Sequence, residues 1–136
     1  MTLYESKGRL SYRKEGNDLG LVVKADQGIS EFYRSLIPKY CEVNRQKHSA
    51  HITVVRIYKE FPKDLRAWGK YENHKIVFQY SPIIHQGTVY WWLNTFSIQL
   101  EEIRRELGLP VRSEYTIPPS GFTKCFHLTL ANSKNI

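Results

Sequence analysis

The sequence predicts an α+β fold in a single domain made of two similar lobes. Three observations lead there. Stretches rich in β-branched and alternating residues outnumber amphipathic helical ones. The order strand, helix, strand occurs twice. Each occurrence finishes on a strand carrying His-x-Thr, first His51-Ile52-Thr53 and then His127-Leu128-Thr129.

The elements follow in chain order. Residues 10–13 and 19–25 read as strands, and Glu15-Gly16-Asn17-Asp18 between them makes a hairpin turn. A helix follows over 29–40, with Ser30 as its cap and Phe32, Leu36 and Tyr40 at helical spacing; Pro38 ends or kinks it near Ile37. HITVVRI at 51–57 is a strand by its β-branched content. Pro62 suits the first turn of a short helix. KIVFQYS at 75–81 and TVYWWLN at 88–94 are strands. Thr95 or Ser97 caps a second helix, which runs to Leu107 on Phe96, Leu100 and Ile103 and stops at Gly108 and Pro110. A long loop over 110–123 leads to a last strand, KCFHLTL at 124–130, and a polar tail.

Composition narrows the class of protein. A chain of 136 residues with 41% hydrophobic and 24% charged residues can bury a core and is globular. No apolar run is long enough to span a membrane, and the start MTLYESKGRL has no apolar signal region, so a cytoplasmic location and no membrane partner are expected. Cys41 and Cys125 lack any C-x-x-C spacing and read as reduced thiols, neither zinc ligands nor a redox pair. The net charge of +7 sets up a positive field that favours anionic, phosphate-bearing substrates. The basic residues are scattered and form no nucleic-acid-binding arm, so no stable nucleic-acid partner is expected.

The motifs have a chemical logic. Alternation along a strand puts His51 and Thr53 on one face and Ile52 and Val54 on the other. It does the same for His127 and Thr129 against Leu128 and Leu130. Two lobes packed about a two-fold axis would bring these pairs together across a cleft. One neutral imidazole would then accept a proton from an attacking hydroxyl, and a protonated one would give a proton to the leaving oxygen. The threonine hydroxyls would donate to the phosphate oxygens as charge builds there. His51, Thr53, His127 and Thr129 are therefore the catalytic candidates. This chemistry calls for no cofactor and no metal. His48 lies near His51, but no third ligand has suitable spacing.

Aromatic side chains supply stacking surfaces for nucleobases. Alternation in TVYWWLN sets Thr88, Tyr90, Trp92 and Asn94 apart from Val89, Trp91 and Leu93, so Tyr90 and Trp92 are the substrate-binding candidates and Trp91 is core. Tyr12 and Lys24 complete the set, the lysine as a phosphate contact. The 110–123 loop, with Glu114 and Tyr115, reads as a lid.

The paired motifs, His51-Ile52-Thr53-Val54 and His127-Leu128-Thr129-Leu130, resemble those of the 2H phosphoesterase superfamily. With the bilobal order of elements, the resemblance spans nearly all the chain from Leu19 onward. It implies two antiparallel or mixed sheets facing a central cleft with helices outside, and catalysis by both histidines with help from both threonines. Size, charge and aromatic content look most like one branch, the phage anti-CBASS nucleases. That branch implies hydrolysis of 3′–5′ bonds in cyclic di- and trinucleotides in the host bacterial cytoplasm, by a monomer or weak oligomer. Processing of RNA ends or 2′,3′-cyclic phosphates is the alternative activity, and a non-catalytic nucleotide sponge the alternative class.

Overall fold

The computed structural model describes residues 2–113 and 115–136. Seven strands and two helices are present among them: β1 (Tyr4–Glu15), β2 (Asp18–Lys24), α1 (Gln27–Ser35), β3 (Asn44–Arg45), β4 (His51–Val55), β5 (Lys75–Gln86), β6 (Tyr90–Phe96), α2 (Ile98–Glu106) and β7 (Phe126–Asn132). The class is α+β, as the sequence predicts. The strands form one continuous sheet where two were expected. Its order is β3-β7-β4-β2-β1-β5-β6, and β6 also pairs with β7, so six strands close into a ring. Every pairing is antiparallel.

The β1–β2 hairpin turns at Gly16, which takes a φ of 61° that an L side chain rarely adopts. Its strand is longer than 10–13, because Tyr4 to Arg9 find partners on β5. α1 starts earlier than expected: Asp26, not Ser30, is the cap, and its carboxylate accepts from the Gly28 N–H at 2.8 Å. Ser30 is buried inside the helix. The helix also presents a different face from the one expected. Phe32, Leu36 and Tyr40 are exposed, while Tyr33 and Ile37 enter the core. Pro38 still marks its end, since the last helical residue is Ser35. Pro62 opens no helix; the segment around it is loop and turns. β5 runs on past Ser81 to Gln86 through an irregularity between Tyr80 and Ile84. Ser97 caps α2, accepting from the Leu100 N–H, and Leu100, Ile103 and Leu107 are buried as their spacing predicts. Phe96 ends β6 and is not part of that helix. β3 is an unforeseen two-residue strand, and it pairs with the end of β7, which reaches Asn132.

The internal repeat reappears as matched registers. In the first half, Lys24 pairs with His51, Val23 with Ile52 and Val22 with Thr53; the register then shifts and Leu21 pairs with Val55. In the second, Asn94 pairs with His127, Leu93 with Leu128 and Trp92 with Thr129; the register then shifts and Trp91 pairs with Ala131. Each motif strand thus carries an extra residue directly after its threonine, Val54 or Leu130. Each shift lets two successive residues turn inward: Val54 and Val55 are both buried, as are Leu130 and Ala131. The strands flanking each helix pair directly and antiparallel. The helices pack across the repeat, α1 against β7 and α2 against β4 and β5.

Buried Arg104 fastens α2 to β4 and to half-buried Glu60 in the turns that follow it. Arg104 is 2% exposed. It donates to the Val54 carbonyl at 2.8 Å, to the Pro110 carbonyl at 2.8 Å, and to both Glu60 oxygens at 3.0 and 2.8 Å. Burial works to raise the Glu60 pKa, but hydrogen bonds from Arg104 and the Arg56 backbone prevail and hold it below its ordinary value. Glu101, also buried, accepts from the Thr123 hydroxyl and N–H at 2.6 and 3.1 Å, which ties the 110–123 loop to α2. Cys41 and Cys125 are free, and burial pushes the Cys125 thiol up to about 11. No helix among the described residues is long and apolar enough to cross a membrane.

Removing one member of a buried pair strands the other's charge. Glu60→Ala is expected to cost about 3 kcal/mol in urea unfolding, and Glu60→Ala/Arg104→Met to recover part of that loss. Equal stability of the single and double variants would show that the pair is not what holds α2.

Candidate functional site

β4 and β7 meet at Ile52 opposite Leu128. Both residues are completely buried, and each contributes about 1.5–3 kcal/mol of apolar burial. Counting one residue outward in antiparallel sense sets His51 beside Thr129 and Thr53 beside His127, all on the face away from the core. The two histidines are diagonal neighbours, a relation that places Cβ atoms about 7–8 Å apart. His127 is exposed, and His51, Thr53 and Thr129 are half-buried. The alternation holds within each motif, and the pairing of β4 with β7 sets the two motifs on adjacent strands of one sheet, not on two sheets facing each other.

The histidines have different surroundings. Nδ1 of His51 lies 2.9 Å from the Ser49 carbonyl oxygen. A carbonyl only accepts, so Nδ1 carries the proton and Nε2 is left for other partners. Lys24 stands directly across the strand pair from His51. His127 packs its ring against Trp92, centroids 5.1 Å apart, and Trp92 stacks against His85 on the neighbouring strand at 5.8 Å. The Trp92 indole N–H donates to the Asn94 side-chain oxygen at 3.0 Å, which turns the Asn94 amide nitrogen toward His85 Nε2 at 3.1 Å. Although His127 is exposed as a residue, desolvation of its ring, then the positive charge of Lys124, then His85 push its pKa below the ordinary value. Lys124 is itself lowered by burial and by Arg104.

The substrate-binding candidates divide. Lys24 is exposed on the strand next to His51. Tyr90 is 40% exposed on the Trp92 side of β6, with the Lys134 ammonium 5.2 Å from its ring centroid. Trp92 is corrected: strands on both sides of β6 place an imidazole against it, so it supports His127 instead of offering a free stacking surface. Trp91 is core, as expected. Tyr12 is also corrected. It pairs with Leu21 and shares the inward face of β1 with Leu10, so it points away from the motifs. Its ring packs edge-on to Trp68 at 4.8 Å, and its hydroxyl accepts from the Tyr71 N–H at 3.3 Å.

Sequence reading missed His85, Asn94 and Lys124. Asn94 was legible as sharing a face with Trp92. His85 was hidden because the strand carrying it was expected to end at Ser81. The 110–123 loop is anchored through Arg104 and Glu101 of α2, with Tyr115 and Ile117 at 95% exposure; Glu114 lies outside the described residues. His48 and His51 have ring centroids 6.5 Å apart, and no group of three or more His, Cys, Asp or Glu that could hold a metal ion occurs among the described residues. Two surface hollows, of about 220 and 440 Å³, lie elsewhere: one is lined by Phe78, Phe96 and Phe122, the other by Arg34, Pro38 and Cys41. Comparison with protein-family models, with curated proteins and with solved structures gives no match to this chain.

The lowered pKa of His127 links folding to pH. Between the folded value and the ordinary 6.5, the unfolded chain binds more protons at this group. Its contribution to stability is therefore complete above about pH 6.5 and is lost as pH falls through the folded pKa. Urea midpoints from about pH 5 to 8 should climb with pH in wild type and climb less in His127→Asn. Equal slopes would mean that the His127 pKa is the same folded and unfolded.

Proposed function

We propose that this chain is a phosphodiesterase whose proton transfers are made by its own two motif histidines. The observation that carries this reading is the diagonal placement of two imidazoles, each beside a hydroxyl, on one accessible face of the β4–β7 junction. A phosphate seated there would have an imidazole on either side.

His127 is suited to be the base. Its lowered pKa leaves it neutral near pH 7, ready to take the proton of an attacking 2′-hydroxyl. As that oxygen bonds to phosphorus, the bond from phosphorus to the 5′-oxygen breaks. His51 gives its Nε2 proton to the departing oxygen. The Ser49 carbonyl, accepting from Nδ1–H, leaves Nε2 as the nitrogen that donates. The products are a 2′,3′-cyclic phosphate and a 5′-hydroxyl. Water, activated with the roles reversed, then opens the ring to a terminal phosphate. Thr53 and Thr129 would donate to the non-bridging oxygens, and Lys24 adds positive charge beside His51.

The substrate class we infer is a cyclic di- or trinucleotide with 3′–5′ bonds, and the role is to counteract CBASS immunity in the bacterial cytoplasm. This part rests on the resemblance of the paired motifs and on the basic charge. RNA ends and 2′,3′-cyclic phosphates fit the same residues.

The experiment is turnover, in EDTA, of cyclic di- and trinucleotides, linear RNA and a nucleoside 2′,3′-cyclic phosphate. Cyclic oligonucleotides should be consumed, and His51→Ala or His127→Ala should each slow this by at least about 10²-fold. Thr53→Val and Thr129→Val should each cost about 10²-fold. A 2′-deoxy cyclic dinucleotide should resist. Cleavage of RNA or the cyclic phosphate alone would keep the chemistry and remove the substrate class. Tight binding without turnover would make the chain a sponge.

A further inference from the structure

The sheet carries a second feature on the same face as the motifs. Lys75 on β5 pairs with Arg9 on β1. Arg9 pairs with Lys24 on β2, and Lys24 pairs with His51 on β4. Directly opposed residues of an antiparallel pair lie on one face, so these four side chains form a row across four strands. All three cations are exposed. None of the ion pairs found among the described residues includes them. The Arg9 guanidinium is braced by one hydrogen bond, to the Asn73 carbonyl at 2.9 Å.

Like charges directly opposite each other destabilise a sheet. Here they occur in two consecutive pairs, in a protein that places Glu60 and Glu101 with care around Arg104 and Arg105. An anion lying along the row would turn this repulsion into attraction. The row also has a direction. Lys24 is the residue opposite His51, whereas the matching residue opposite His127 is Asn94, a neutral amide already engaged by Trp92 and His85. A row of cations on successive strands therefore leads away from His51 and not from His127, beside which Lys124 is a single half-buried charge. Strands stand about 4.8 Å apart, so the row extends roughly 14 Å from His51, far enough for further phosphates of the same molecule.

We propose that Lys24, Arg9 and Lys75 form a track that binds the phosphates neighbouring the scissile one, which makes the site selective for oligonucleotides over mononucleotides. The proposal rests on the reading of the motif face as a phosphodiester-cleaving site, and its test is chosen to be independent of turnover.

The probes are a 2′-O-methyl tetraribonucleotide, which cannot be attacked by its own hydroxyl, and adenosine 3′-monophosphate. Binding of each is measured as a function of NaCl for wild type, for Arg9→Gln/Lys75→Gln, and for Lys14→Gln/Lys39→Gln, which removes the same charge elsewhere. For the tetranucleotide, the track variant should bind roughly tenfold more weakly at low salt, and its log–log salt slope should fall by about 1.4, or about 0.7 for each lost phosphate contact. Mononucleotide binding should not change, and the control variant should match wild type. An unchanged slope, or equal losses in both double variants, would overturn the track. So would an equal loss of mononucleotide binding. If wild type cleaves nothing yet the slope falls as stated, the track stands and the phosphodiesterase reading falls. If wild type cleaves oligonucleotides and the slope is unchanged, the reverse holds.

Discussion

Ile52 and Leu128 meet at the point where the two motif strands pair, and both are fully buried. The site depends on that contact. Because side chains alternate along a strand, sealing these two residues in the core obliges His51, Thr53, His127 and Thr129 to face outward together. A slip of one residue in either strand would bury an imidazole and expose an aliphatic chain, so the core enforces the register of the site. The extra residue after each threonine contributes to this. Val54 with Val55, and Leu130 with Ala131, add inward-facing pairs just beyond the motifs and anchor both strands. Arg104 then joins α2 to the Val54 carbonyl, linking the helix to the motif strand itself.

The two halves share a backbone plan and differ in side chains, and that difference matters chemically. Equivalent positions hold Lys24 and Asn94, or Val22 and Trp92. One imidazole is oriented by a backbone carbonyl beside a lysine; the other rests on an indole whose own N–H is committed to an amide. A symmetric frame thus holds two histidines in unlike surroundings, the asymmetry that the proposed acid and base roles call for.

Much of the fold was legible. Strands at HITVV and HLTL, the Ser97 cap, the buried stripe of α2 and the twice-used order of elements are local patterns, set by residues near one another in the chain. The errors have physical causes. Ser30 and Asp26 are both able to cap α1, and the choice falls to the register that lets Tyr33 and Ile37 reach the core. Pro62 lies in a stretch where contacts of Glu60 with α2 take precedence over local helix preference. β1 exceeds its expected length because Tyr4 to Arg9 find partners on β5, across more than 60 residues of chain, and β5 runs past Ser81 because Ile84 to Gln86 pair with β6.

The sequence by itself determined the two His-x-Thr motifs, the face of each strand they occupy and the side chains that oppose them, because alternation is a property of the strand alone. Tertiary structure decided which strands are neighbours. Closure of the ring set Ile52 against Leu128, put His85 and His127 on either side of Trp92, turned Tyr12 inward and lined up Lys75, Arg9 and Lys24 with His51. None of these is a local pattern, because each requires residues distant in sequence to pair in one register, and that register follows from burial of the whole core.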